Sequence, residues 1–154
     1  MNTTQPLLPI ADLIPLRDGE LYLRPFVNKH YSARRYHDGR NPRRIVGPGE
    51  YLILSTPCRR ALIVFRVSNR EIAGQKGIYL SFCRNETSQK TSVLIRKAIE
   101  IAWERWPGKP VFTLVNPKKV QSPIPGYCFR RAGFRRVAIT SRGLLVLRRN
   151  PPNL

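Results

Sequence analysis

Five residues combine chemically capable side chains with positions at the ends of expected structural elements: His30, Tyr31, Glu86, Asn116 and Tyr127. An imidazole or a carboxylate accepts a proton, a phenol donates one, and a carboxamide orients a neighbour. The set therefore suits transfer of a group to an amine, which needs one residue to take the amine proton and another to steady developing charge. Carboxylates are scarce, and Glu86 is the sole acid between Glu71 and Glu100. Each residue also has a plainer reading. Glu86 can be a loop carboxylate paired with one of many arginines. His30 on the first helix can be a surface or capping residue, or a metal ligand with the Tyr31 phenol behind it, so the metal stays unknown. His37, inside an arginine-rich loop, suits contact with phosphate.

The stretch from Leu80 to Trp106 must position these groups. It reads as a buried strand, a polar loop, and a helix with an apolar stripe at Ile95, Ala98, Ile99, Ala102 and Trp106. The hydroxyls of Thr87, Ser88, Thr91 and Ser92 are placed to cap the helix, and no acid follows until Glu100. The positive end of the helix dipole is thus not neutralised from within the chain. Thr87, Ser88, Gln89, Lys90, Thr91 and Ser92 form a candidate cofactor-binding set on that ground, the alternative being an ordinary capped amphipathic helix.

Charge says more about the partner. The chain has 154 residues, enough for one domain with a real core, and carries 28 Lys plus Arg against 9 Asp plus Glu, a formal +19. An enzyme of small metabolites has no need of such a balance, whereas a polyanion does. Arginines outnumber lysines by 21 to 7, which favours forked contact with phosphate over diffuse solubilising charge. Every acid lies at or before Glu104. The segment from Arg34 to Gly49 holds five arginines, two prolines and three glycines in 16 residues, a long basic loop suited to substrate contact. Arg34, Arg35, Arg40, Arg43 and Arg44, with Lys118, Lys119, Arg130 and Arg131, are the candidate nucleic-acid-binding residues. Cys58, Cys83 and Cys128 form no Cys-x-x-Cys pair, so core thiols in a reducing compartment are expected. Leu7, Leu8, Ile10, Leu13 and Ile14 are interrupted by Pro9, Asp12 and Pro15, which reads as an N-terminal arm over 1–18 rather than a signal peptide or membrane span.

From 19 to 154 the pattern is that of a single domain. A strand over Gly19–Pro25 and a helix over Phe26–Ser32 are expected first, then the basic loop. Glu50–Thr56 and Ala61–Val67 form a hairpin across Pro57-Cys58-Arg59-Arg60, followed by a central strand over Gly77–Cys83. After the central helix come a strand over Val111–Val115, a short helix over Tyr127–Ala132 closed by Gly133, and a hairpin of Phe134–Thr140 with Leu144–Arg148. This order predicts an α+β fold with a mixed, mostly antiparallel sheet. One splayed point is expected, where the chain leaves Cys83 for the central helix and returns at Val111.

That order, together with Tyr-Cys-Phe-Arg-Arg-Ala-Gly-Phe over 127–134, resembles the GNAT-type N-acetyltransferases across roughly residues 19 to 149. Within that superfamily the chain is most similar to the Mom-type DNA modification proteins of bacteriophages. The residues that carry the similarity are His30-Tyr31-Ser32, Arg84-Asn85-Glu86, Asn116-Pro117, Gly126-Tyr127 and Ala132-Gly133-Phe134. The resemblance implies a nucleic-acid-modifying transferase acting on a base amine in DNA, DNA being favoured over RNA, in the cytoplasm of a bacterial host. It implies catalytic roles for His30, Tyr31, Glu86, Asn116 and Tyr127. An acyl-coenzyme A donor or a metal ion follows from the same comparison and stays open. The sequence departs from the acyltransferase pattern in that Arg84 to Ser92 contains no glycine, and Phe129 stands where a tyrosine is usual. Two alternatives accompany this reading: a non-catalytic DNA- or RNA-binding or inhibitory module on the same fold, and a protein N-acetyltransferase.

Overall fold

The computed structural model describes residues 12–20, 22–29, 44–120 and 123–152. Among these residues it is an α+β structure, a seven-stranded, mostly antiparallel sheet with three helices. In chain order the elements are β1 (Ile14–Leu16), α1 (Leu23–Val27), β2 (Glu50–Ser55), β3 (Ala61–Val67), β4 (Ile78–Asn85), α2 (Thr91–Arg105), β5 (Val111–Val115), α3 (Tyr127–Arg131), β6 (Arg135–Ile139) and β7 (Leu145–Arg149). The strands lie side by side as β1-β2-β3-β4-β5-β7-β6. No helix among the described residues is long and apolar enough to cross a membrane.

α2 covers one face of the sheet. Its apolar positions repeat every three to four residues, so Leu94, Ile95, Ala98, Ile99 and Ala102 share a stripe and are buried against Leu52, Ile63, Phe65, Leu80 and Val115. Each of the leucine and isoleucine side chains withdrawn from water contributes roughly 1.5–3 kcal/mol before entropy is counted. Trp106 caps the helix one residue past its end, and Pro107-Gly108 prevents continuation. The opposite face is covered over β2, β3 and β4 by α1, whose Leu23, Phe26 and Val27 pack on Ile53, Leu62, Val64 and Phe82.

Two expectations at the amino-terminal end are corrected. Gly19–Pro25 is not a strand: Leu23, Phe26 and Val27 have the i, i+3, i+4 spacing of a helix, and α1 begins at Leu23. Pro25 is tolerated because the first turn of a helix has no use for its missing N–H. The first strand lies instead at Ile14–Leu16, inside the expected arm, paired with Ser55, Leu54 and Ile53 of β2. Pro15 fits there because β1 is an edge of the sheet. The helix expected over Phe26–Ser32 ends at Val27 in the described part, and residues 30–43 lie outside it.

The later elements fall where the pattern put them, within one or two residues. The β2–β3 hairpin turns at Pro57–Arg60, and β6 and β7 form a second hairpin turning at Ser141-Arg142-Gly143. The central strand runs two residues further than expected, to Asn85.

The sheet opens at one place. β4 and β5 are parallel and pair only at Ile78↔Val111 and Tyr79↔Phe112. β5 follows β7 along its whole length, from Val111↔Arg149 to Val115↔Leu145, while β4 stays with β3. The β3–β4 register slips between Val64↔Phe82 and Phe65↔Leu80, leaving Ser81 as an extra residue in β4. A bulge there bends β4 immediately after its last pair with β5, and the strands part.

Candidate cleft between the parted strands

The apex of the opening is fixed by local chemistry. The rings of Tyr79 and Phe112 stack with centroids 5.2 Å apart at the last strand pair. One residue further on, the buried Thr113 hydroxyl donates to the Leu80 carbonyl at 2.8 Å, bridging β5 to β4 where no ladder bond does. Beyond it lies a cavity of about 680 Å³, a size suited to a small-molecule or base-sized ligand. Its walls are β4 from Tyr79 to Asn85 and β5 from Thr113, with Asn116, Lys119, Gly126–Phe129 and Leu144 at the rim. Among the described residues no strand lies beside the edge of β4 from Ser81 onward on the cleft side. Backbone donors and acceptors along such an edge suit an extended chain that carries amides of its own.

At the end of β4 the chain folds around Asn85. The Asn85 carboxamide nitrogen donates to the Gln89 carbonyl at 2.7 Å and to Thr91 Oγ1 at 3.1 Å, while its oxygen accepts from the Thr87 amide at 2.9 Å and the Thr87 hydroxyl at 2.5 Å. Thr87 Oγ1 in turn accepts from the Gln89 amide. The expected hydroxyl caps of α2 are therefore replaced. Lys90 is the N-cap residue, no side chain caps the helix, and its first turn holds no acid. The hydroxyls of Thr87 and Thr91 are engaged with Asn85, an alternative to capping the helix amides. Thr91 reaches the cleft wall; Ser88 and Lys90 are exposed.

Of the five candidate catalytic residues, Asn116 and Tyr127 both line the cleft. His30 and Tyr31 lie outside the described residues. Glu86 faces cations: Arg84 Nε donates to its Oε2 at 2.8 Å, and Lys29 Nζ lies 3.6 Å away. The Arg84 guanidinium, and secondarily Lys29, hold its carboxyl below the usual carboxylate range. A carboxylate held ionised in this way accepts a proton poorly.

Among the candidate nucleic-acid-binding residues, Lys118, Lys119, Arg130 and Arg131 are all exposed, and Lys119 also lines the cleft. Arg34, Arg35, Arg40 and Arg43 fall outside the described residues, as does His37. Arg44 is exposed, and its carbonyl accepts from the buried Arg24 guanidinium at 2.6 Å. The next two residues are tied down by Asp18, whose carboxylate accepts from the amides of Ile45 and Val46.

The thiols divide differently from expectation. Cys58 is exposed in the β2–β3 turn, since a four-residue turn has no interior to offer. The hydroxyl of Thr56 draws its thiol below the ordinary value. Cys83 and Cys128 both line the cleft, and burial pushes both thiols up, so they stay protonated at neutral pH. Thr113 and Ser81 carry no expectation from the sequence, and Cys83 and Cys128, expected as core thiols, pack on the core and also line the cleft. For Thr113 a signal was present, a polar residue inside the apolar run Val-Phe-Thr-Leu-Val. Among the described residues no group of three or more His, Cys, Asp or Glu gathers as a metal cluster would. Comparison with known protein families, with characterised proteins and with solved structures finds no match to this chain.

Proposed function

We propose that the protein is a nucleic-acid-modifying transferase with a GNAT-like arrangement, acting on a base amine in phage DNA through the cleft between β4 and β5. The observation that carries this reading is the cleft itself with cations at and near it: Arg84 and Lys119 line it, Lys118, Arg130 and Arg131 are exposed in the segments that supply its β5 side, and no Asp or Glu follows Glu104. The strand order, the parallel β4–β5 contact that ends after two pairs, and α2 following β4 support the GNAT-like assignment. Buried inside a duplex, a base amine reaches such a cleft only by leaving the stack.

An acyl-coenzyme A donor would supply the activated carbonyl group. The fit is partial. The unpaired β4 edge from Ser81 suits its extended amide-bearing arm, and the amides at the start of α2 beside Thr91 suit phosphate. No glycine between Arg84 and Ser92 permits the close backbone wrap that usually holds the pyrophosphate. Asn116 would orient the amine and hold a hydrogen bond to it or to the leaving group, with Tyr127 beside the entrance that the base passes. Glu86, kept ionised by Arg84 and Lys29, would set the field at the strand end, and the resemblance leaves the proton-accepting role to His30. A metal requirement stays part of the proposal only through His30.

A second reading, a non-catalytic DNA-binding or inhibitory module on this arrangement, is favoured by the glycine-free loop and by the low basicity of Glu86. Mass analysis of nucleosides from the DNA of cells expressing the chain separates the two. A modified adenine or cytosine is expected. An unchanged nucleoside profile at good expression, combined with tight salt-dependent DNA binding, rejects the transferase in favour of the binder.

A further inference from the structure

Large apolar side chains that are half exposed number four among the described residues: Ile124 at 50%, Tyr127 at 52%, Val137 at 51% and Ile139 at 55%. Two of them, Ile124 and Tyr127, stand on one turn, and Tyr127 lines the cleft. Leaving apolar surface in water costs roughly 25 cal/mol per Å², so a fold that exposes two such groups side by side usually has a use for them.

The turn is firmly seated. The Tyr127 amide donates to the Ile124 carbonyl at 3.1 Å. Between them Gly126 is buried with φ +78°, and a Cβ there would stand 2.7 Å from Leu147 Cδ1 and 3.6 Å from Val115 Cγ2. The floor of the turn is thus pressed onto β7 and β5, and the side chains on either side of it face outward. Exposed cations flank it, Lys118 and Lys119 before it and Arg130 and Arg131 after it.

We propose that this turn is a wedge for duplex DNA, with Ile124 and Tyr127 entering the base stack to fill the gap left by a base displaced into the neighbouring cleft. The inference deepens the function proposed above and rests on it. Exposed apolar tips with exposed cations before and after them in the chain match a partner whose phosphates lie outside and whose apolar rings lie within. Side chains of this kind inserted between base steps partly unstack them. An anionic membrane offers the same pairing of charge and apolar interior. The adjacent 680 Å³ cavity decides between the two, because a displaced base needs a place to go and a membrane anchor does not.

The test is fluorescence anisotropy with two duplex DNA oligonucleotides, one fully paired and one with a single central abasic site. The gapped duplex has already lost a stacked base, so the wild-type protein should bind it about fivefold or more tighter. The double variant Ile124→Ser with Tyr127→Ser should bind both duplexes alike, with the salt dependence of wild type, since its phosphate contacts are intact. Tyr127→Phe should keep the preference, which separates stacking from any proton held by the phenol. Thermal melting checks that the variants remain folded. Equal affinity of the wild type for the two duplexes sinks the wedge while leaving the nucleic-acid reading standing. A double variant that retains the preference, or tighter capture by anionic phospholipid vesicles than by the gapped duplex, also overturns it. Failure to bind either duplex rejects the function proposed above, and the wedge with it.

Discussion

The two halves of the sheet are built on different terms. In the first, β3 and β4 pair from Val67↔Ile78 to Ala61↔Asn85, and side chains on both faces are buried, Phe65 and Leu80 under α2, Leu62 and Val64 under α1. In the second, β5 leaves β4 after two pairs, and every residue of the edge strand β6 is exposed. Charge divides in the same sense, since all nine acids lie at or before Glu104 and the rest of the chain carries only cations. The first half is sandwiched between two helices, whereas the second meets it at only two residue pairs, which lets the strands part there and the outer edge carry an unbalanced positive surface. A sheet that was uniformly paired would have no cleft.

The sharpest way to break this comparison is to truncate one side chain in each half. Phe65→Ala removes a fully buried ring in the first half and should cost about 3–5 kcal/mol in denaturant unfolding. Ile139→Ser, on β6, should stay within about 0.5 kcal/mol of wild type. Equal losses would mean that β6 belongs to the core and that the contrast is wrong.

Next in size is Gly126→Ala. Its positive φ and the Leu147 methyl 2.7 Å from the added carbon together should cost about 2–4 kcal/mol, from left-handed strain and overpacking. Gly143→Ala in the β6–β7 turn has φ +84° but nothing within 4 Å, so only the backbone strain of about 1–2 kcal/mol should remain. The difference between the two variants measures how tightly the rim turn is seated. If they are equally destabilised, Gly126 is a turn glycine and no more.

Thr113→Val tests the apex. It deletes the hydroxyl bridge from β5 to the Leu80 carbonyl and leaves that carbonyl without its partner, for a loss of about 1–2 kcal/mol. Amide exchange in β4 beyond Leu80 should quicken more than in β3. Uniform quickening across both strands would show that the bridge contributes to the sheet at large rather than to the point of parting.

What could be read from the residues followed from periodicity and punctuation. The apolar stripe of α2, the Pro57–Arg60 turn, Gly133 after α3 and the Ser141-Arg142-Gly143 turn all announce their elements locally. β1 was hidden because three residues containing Pro15 carry no strand signal, and its pairing with β2 is a tertiary decision. α1 was misread because Tyr22 to Val27 satisfies an alternating and a helical pattern about equally over so few residues. At the site, Asn116 and Tyr127 were legible as polar residues at element ends, and both reach the cleft. The bulge at Ser81 and the seat of Gly126 on Leu147 were not, since each depends on which strands lie alongside.

The smallest expected effect concerns Glu86, which sits at the end of the well-paired half, one residue past Asn85 of the cleft wall. Arg84 and Lys29 lower its pKa in the folded protein from the ordinary 4.5, so the fold favours the ionised form. The resulting stabilisation is fully present above that ordinary value and is lost as pH falls through the lowered one. Glu86→Gln removes it. At neutral pH the variant should melt slightly below wild type, by a small margin because the pair is open to solvent. As the solution is acidified below 4.5 the two melting curves should converge, since wild-type Glu86 then becomes neutral as well. A gap that widens toward acid would require a carboxyl with a raised pKa. Glu86 would then be the proton acceptor at the strand end after all, and the division of roles with His30 would have to be reversed.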